Sequence, residues 1–278
     1  MKLSYRTAKN AEATARFWGK SLDKPDWFKA QAAAEGDSEI LIYDFIGWPF
    51  NDPRELIAAL SGMQNVTVRI NSPGGDVFDG MAIYNALQSH KGTVTTRIES
   101  LAASMASVIA MAGKKVQAYD NAMLMIHNAW VLAIGSQYEL REIADILEKI
   151  DTNILNIYYE KSKTGKRELA DMMKAETWMN AKEAKEKGFI GEIVDGKAVK
   201  AQFDLSVFAN APDELISARA GRELTEREIE RALRDAGASR SFAKAIAAGR
   251  SSGSGGNQRD VESLKNSIQS VISIFGGK

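Results

Sequence analysis

From residue 39 onward, short apolar runs and helical stretches take turns along the chain, an order that few architectures accept. Ile40, Leu41, Ile42 and Tyr43 form a run suited to a buried strand. Asp52-Pro53 then opens a helix to Leu60, with Asp as N-cap and Pro at the first helical position, where a missing N–H costs nothing. Residues 66–70 read as the next strand, 71–76 as a loop, 80–88 as a helix and 93–98 as a strand. The apolar segment over 102–111 that follows is too long for a typical strand. Alternation of this kind packs as a mostly parallel sheet covered by helices, so the expected fold class is α/β.

Residues 138–163 carry one long helical pattern in which Leu140, Ile143, Leu147, Ile150, Ile154 and Ile157 step by three and four. Such a helix would run about 40 Å, more than its own domain can cover, and the spacing reads as a seam for self-association, although an amphipathic helix packed on its own sheet has the same pattern. Residues 1–37 are polar, Ala-rich and weakly patterned, and read as an N-terminal arm ahead of a domain over 38–200. A linker over 201–212 leads to a helical hairpin over 213–250, in which Thr225-Glu226-Arg227-Glu228 is a capping box, Gly237 a break and Ser239 a second cap. Residues 251–278 combine a Gly/Ser tether with an amphipathic helix bearing Leu264, Ile268, Val271, Ile272 and Phe275. A hairpin of this kind can bind DNA. Here Glu226, Glu228, Glu230 and Asp235 interleave with the arginines and leave no basic face for phosphates, so 213–278 is expected to dock on another protein.

Composition narrows the chemistry. No Cys is present among the 278 residues, which excludes disulfides, thiolate metal sites and a cysteine nucleophile. Only two His occur, His90 and His127, too few for a zinc site built on several imidazoles, so neither metal nor cofactor is expected. Lys and Arg number 36 against 36 Asp and Glu, so no global field draws the chain to nucleic acid or to an anionic membrane. The first ten residues hold no apolar signal segment and no apolar run reaches the ~18 residues of a membrane span. A cytoplasmic location is the expectation.

Three strings could carry chemistry. Asn71-Ser72-Pro73-Gly74-Gly75-Asp76 follows a strand, and consecutive glycines let a ligand backbone come close and leave amide N–H groups to donate, although the same string makes a plain turn. Ala102-Ala103-Ser104-Met105-Ala106 places a Ser at the first turn of a helix, where it is either an N-cap or a nucleophile awaiting a base, with Ser107 as its competitor. His127 ends the apolar run 123–126, where side chains emerge from a sheet, whereas His90 looks like a solvated helix end. If a Ser–His pair exists, His127 is the better base.

Taken in order, Ile70-Asn71-Ser72-Pro73-Gly74-Gly75, Ala102-Ala103-Ser104-Met105, Met125-Ile126-His127, and Met179-Asn180-Ala181-Lys182-Glu183-Ala184 with Gly188-Phe189-Ile190 resemble the ClpP family of serine peptidases. More narrowly, the chain resembles the ClpP-related head maturation (prohead) proteases of tailed phages, and 225–237 resembles an extension found in those proteins. The resemblance implies a ClpP/crotonase-like ββα superhelix in which the long helix is a handle between stacked rings. By motif, Ser104 matches the nucleophile, His127 the general base, and the Gly75 and Met105 amides the oxyanion hole. The family's third triad member is an Asp. Its position here holds Glu176, whose extra methylene demands a slightly displaced backbone, and Asp171 is the alternative. A serine endopeptidase without its own ATPase, acting on capsid, scaffold or its own tail in prohead maturation, is the implied function. A ClpP-type subunit fed by an ATP-dependent unfoldase and a non-catalytic ring or scaffold protein are its rivals. Implied partners are further copies of itself in a ring, protein substrates, and a scaffold or portal subunit met by 213–278, in a bacterial host's cytoplasm or inside the prohead.

Overall fold

The computed structural model describes residues 27–31, 37–131, 133 and 136–196, with further positions at 11, 12, 14, 15, 22, 203, 205, 207–212, 230, 240 and 244. The chain divides into two compact units, Asp23–Gln202 and a second formed by Met1–Leu22 with Phe203–Lys278. In the second unit Ala15, Leu205 and Phe208 are buried, and the Phe208 N–H donates to the Leu205 carbonyl at 3.1 Å. The expected hairpin, tether and terminal helix over 213–278 lie outside the described residues, isolated positions at 230, 240 and 244 aside.

The unit Asp23–Gln202 is α/β, as the alternation implies. Its strands are β1 (Phe28–Gln31), β2 (Ser38–Tyr43), β3 (Val66–Ser72), β4 (Val94–Ala103), β5 (Lys115–Tyr119), β6 (Met123–Ile126), β7 (Thr177–Asn180) and β8 (Glu192–Val194). Between them run the helices α1 (Pro53–Leu60), α2 (Val77–Gln88), α3 (Met105–Ala110), α4 (Gln137–Lys161), α5 (Lys166–Lys174) and α6 (Ala181–Glu186). The sheet order is β1-β2-β3-β4-β5-β8, with β6 on β4 and β7 on β6. β2, β3, β4, β5 and β8 are parallel, and β1 closes one edge antiparallel, Phe28 facing Ile42. The arm expected over 1–37 therefore contributes a strand, and Trp27 beside it belongs to the core.

Local chemistry sets the helix starts. Asp52 caps α1 with Pro53 behind it, and the Asp76 carboxylate accepts the Asp79 N–H to open α2. Ser136 with Glu139, and Asn180 with Glu183, form capping boxes at α4 and α6. The segment 102–111 is no single element: its first two residues end β4 and the rest, beyond Ser104, turns into α3. Ala102, Ala103 and Ala106 are wholly buried there, small enough to let strand and helix pack closely.

β4 is the fork of the sheet. At ten residues it is long enough to lend one edge to two strands in succession: Thr95–Ile98 pairs with β5, and Leu101–Ala103 pairs with β6. β7 then runs antiparallel to β6, Ile126 facing Thr177. The fork peels β6 and β7 away from the main sheet and carries their ends past the start of α3.

Candidate active site

Register alone brings the candidate residues together. Ala103 faces Met125 in the β4–β6 pair and the Ser104 N–H donates to the Met125 carbonyl at 3.0 Å, so the residue after β4 lies beside the end of β6, just before His127. The Ser104 Oγ and the His127 Nε2 are 2.8 Å apart, across 23 positions of sequence. On the far side, the antiparallel β6–β7 pair ends at Ile126 opposite Thr177, which places Glu176 next to His127.

The electrostatics follow from that placement. Burial lowers the His127 pKa to about 4, because desolvation disfavours the imidazolium, and the Glu176 carboxylate acts against it and raises it. Glu176 Oε1 also accepts the Trp178 Nε1–H at 3.2 Å. Asp171, the alternative acid, is exposed on α5 before the chain turns at Ala175 and Glu176. Of these two acids, Glu176 is the one whose charge bears on the His127 pKa.

Backbone strain collects here. Ser104 has φ 53° and ψ −127°, Glu176 has φ 50°, and Asp44 is the other non-glycine residue with positive φ among the described residues. Such conformations cost about 1–3 kcal/mol each and persist where surrounding structure enforces them. Glu176 takes its left-handed conformation at the turn between α5 and β7.

The glycine loop meets the same point. Ile46 bridges Gly75 in parallel, its N–H on the Gly74 carbonyl and its carbonyl on the Asp76 N–H, both at 2.8 Å. Amides alternate sides along an extended segment, so the Gly75 N–H points away from Ile46. Both glycines are required. A Cβ on Gly75 would lie 2.0 Å from the Ile46 carbonyl oxygen, and one on Gly74, at φ 101°, would lie 2.7 Å from the Ser104 Cβ and 3.1 Å from the Met105 nitrogen. Gly74 thus sits against the Ser104–Met105 step.

Ser107 and His90 are placed elsewhere. Ser107 is fully buried, its Oγ 2.8 Å from the Tyr158 Oη and bonded to the Ser104 carbonyl at 2.6 Å, so its hydroxyl is committed to the interior. The His90 Nε2 lies 2.6 Å from the Gln64 carbonyl oxygen at the end of α2. Among the described residues no three Asp, Glu or His side chains gather as a metal site would require. Sequence reasoning missed Ile46 and Tyr158, which nothing local marks; Tyr158 carries only the signal of a polar-tipped aromatic on the apolar stripe of a long helix.

Comparison with known proteins places the chain by family. The family model described as Clp protease matches residues 55–197. An ATP-dependent Clp protease proteolytic subunit of Bacteroides fragilis is 33% identical over 133 residues, covering 47% of this chain and 64% of the relative. The protein of the same description from Deinococcus radiodurans is 31% identical over 134 residues, 48% of this chain and 66% of its own length. ATP-dependent Clp protease proteolytic subunit 2 of Treponema denticola is 31% identical over 144 residues, 51% of this chain and 72% of the relative. The chain thus spans a little under two thirds of the Bacteroides and Deinococcus relatives.

Proposed function

The chain belongs to the Clp protease family, and we propose that it is a serine endopeptidase with Ser104 as nucleophile, His127 as general base and Glu176 as the orienting acid. The observation that carries this reading is the 2.8 Å contact between Ser104 Oγ and His127 Nε2 at a strained turn. An extended peptide lies along the Gly75 side that Ile46 leaves open, pairing as an added strand. Ser104 Oγ attacks the scissile carbonyl carbon while its proton passes to His127, and the Gly75 and Met105 amides receive the developing oxyanion. The C–N bond breaks, the leaving amine takes the proton from His127, and the acyl group stays on Ser104. Water, giving a proton to the same imidazole, then releases the acid and restores the hydroxyl.

The experiment is labelling of the purified chain with a fluorophosphonate probe, followed by mapping of the modified residue. Ser104 should carry the label and Ser104→Ala should abolish labelling and peptide hydrolysis, with assembly intact. Equal labelling of the alanine variant overturns the reading.

For the substrate, the proposal is processing of capsid, scaffold or the chain's own tail during prohead maturation, supported by the likeness of 225–237 to an extension of such proteases. The relatives favour a second reading, since each is described as the proteolytic subunit of an ATP-dependent protease. In that case the chain, as a ring of copies, receives unfolded protein from an ATPase. Truncation after Ala211 separates the two: a prohead protease keeps small-peptide hydrolysis and loses processing of assembled heads, whereas an unfoldase-fed subunit has no assembled-head activity to lose.

A further inference from the structure

Among the six acids of α4, Asp151 is the one whose carboxylate bonds the main chain just beyond His127. Asp151 follows Ile150 and precedes Ile154 by a turn, on the half of the helix that packs on the core. Its Oδ1 accepts the Ala129 N–H at 2.7 Å. Ala129 is two residues beyond His127, where β6 has ended and the strand pairing that fixed Ile126 no longer applies. The Asn128 N–H donates to the Met173 carbonyl at 3.2 Å, so the main chain after His127 is held from α5 on one residue and from α4 on the next. Burial raises the Asp151 carboxyl pKa while the Ala129 bond lowers it, as expected of a carboxylate taken from water to serve one main-chain donor.

Seven residues on, about two turns along the same face, Tyr158 reaches the other side of the site. Its Oη lies 2.8 Å from Ser107 Oγ, which bonds the Ser104 carbonyl at 2.6 Å. One helix therefore grips the main chain on both sides of the Ser104–His127 contact. We infer that Asp151 is a positioning residue for His127, and Tyr158 its counterpart for Ser104, the two forming a clamp that sets the reacting geometry. Neither touches substrate. Their effect is through distance: a displacement of about 1 Å between nucleophile and base can cost about 10²-fold in rate.

This role rests on the serine-peptidase reading, and one set of full-length chains separates the two. Wild type, Asp151→Ala, Asp151→Asn, Tyr158→Phe and Ser104→Ala are compared for fluorophosphonate labelling rate, melting temperature and mass in solution. Asn keeps an oxygen where Oδ1 accepts, and Ala does not. Asp151→Ala should label about 10- to 100-fold more slowly at unchanged mass, with Asp151→Asn restored close to wild type and Tyr158→Phe slowed while its ring packing is kept. Wild-type labelling by Asp151→Ala, failure of Asn to restore it, or a loss that appears only with unfolding or dissociation overturns the role of Asp151. Labelling of Tyr158→Phe at the wild-type rate removes Tyr158 from the clamp. Labelling of Ser104→Ala would instead sink the serine-peptidase reading itself.

Discussion

A histidine that must accept a proton works best neutral, and burial keeps His127 in that form well below neutral pH. A general base must be unprotonated in the free enzyme, so the acid limb of kcat/KM should lie near pH 4, below the ordinary imidazole value of about 6.5. Glu176 raises that pKa. Glu176→Gln should therefore push the limb lower still, and should cut kcat by up to about 10⁴-fold, the scale seen when a triad Asp becomes an amide. Asp171→Asn, altering an exposed side chain, should leave the pH–rate profile unchanged; if it alone shows the loss, the pairing of Glu176 with His127 is wrong. His127→Ala and Ser104→Ala should each abolish hydrolysis, and the double variant should be no worse, since the two act as one unit. Gly74→Ala puts a Cβ 2.7 Å from that of Ser104 and strains a left-handed residue, and slower probe labelling than wild type is the expected outcome.

β4 does two jobs along its length. Its end holds Ser104 against β6, and its middle holds Glu99, which has no exposed surface and lies under a polar bridge across the sheet. Arg69 Nε on β3 meets Glu99 Oε1 at 2.5 Å, Tyr43 Oη on β2 donates to Oε2, and Tyr119 Oη on β5 donates to Oε1 at 3.3 Å. Burial, with Glu99 alongside, raises the Tyr43 pKa, so Tyr43 stays a donor through the working range. Every oxygen of Glu99 has a partner, so the charge is tolerated only as part of the set. Arg69→Met, which leaves a buried carboxylate without its cation, should cost about 3 kcal/mol in chemical denaturation, discounted for the partial exposure of Arg69. A loss below about 0.5 kcal/mol, the range of an ordinary surface change, would show that the tyrosines suffice.

The long helix belongs half to its own unit. Ile154 and Tyr158 are buried in the core and Ile150 and Ile157 pack against it, whereas Tyr138, Leu140 and Ile146 toward the N-terminal end are 69%, 41% and 47% exposed. The seam expected along the helix thus splits: its second half packs on its own unit, and exposed apolar side chains remain toward its N-terminal end. Leu140→Glu with Ile146→Glu should lower the mass seen by light scattering and leave the monomer folded. Ile154→Glu is no test of assembly, because it would bury a charge in the core. Unchanged mass in the Leu140, Ile146 variant would return the exposed stripe to an ordinary solvated helix face.

The α/β class, the cap of α1, the existence of the long helix, the glycine loop and the candidate residues Ser104 and His127 were legible in the sequence because each rests on local chemistry: apolar period, turn residues, and the few side chains able to act as nucleophile or base. Several features were not. That Glu176 rather than Asp171 lies beside His127 depends on the register of the antiparallel pair ending at Ile126 and Thr177, and the commitment of the Ser107 hydroxyl to the interior depends on a tyrosine 51 positions away. The strand at Phe28–Gln31 has little pattern of its own and exists because β2 offers it an edge. That β4 would fork, joining residues 104, 127 and 176 at one point, is a matter of register between distant strands. Register is decided by which apolar faces close the core together, a cooperative outcome that no local window of residues contains.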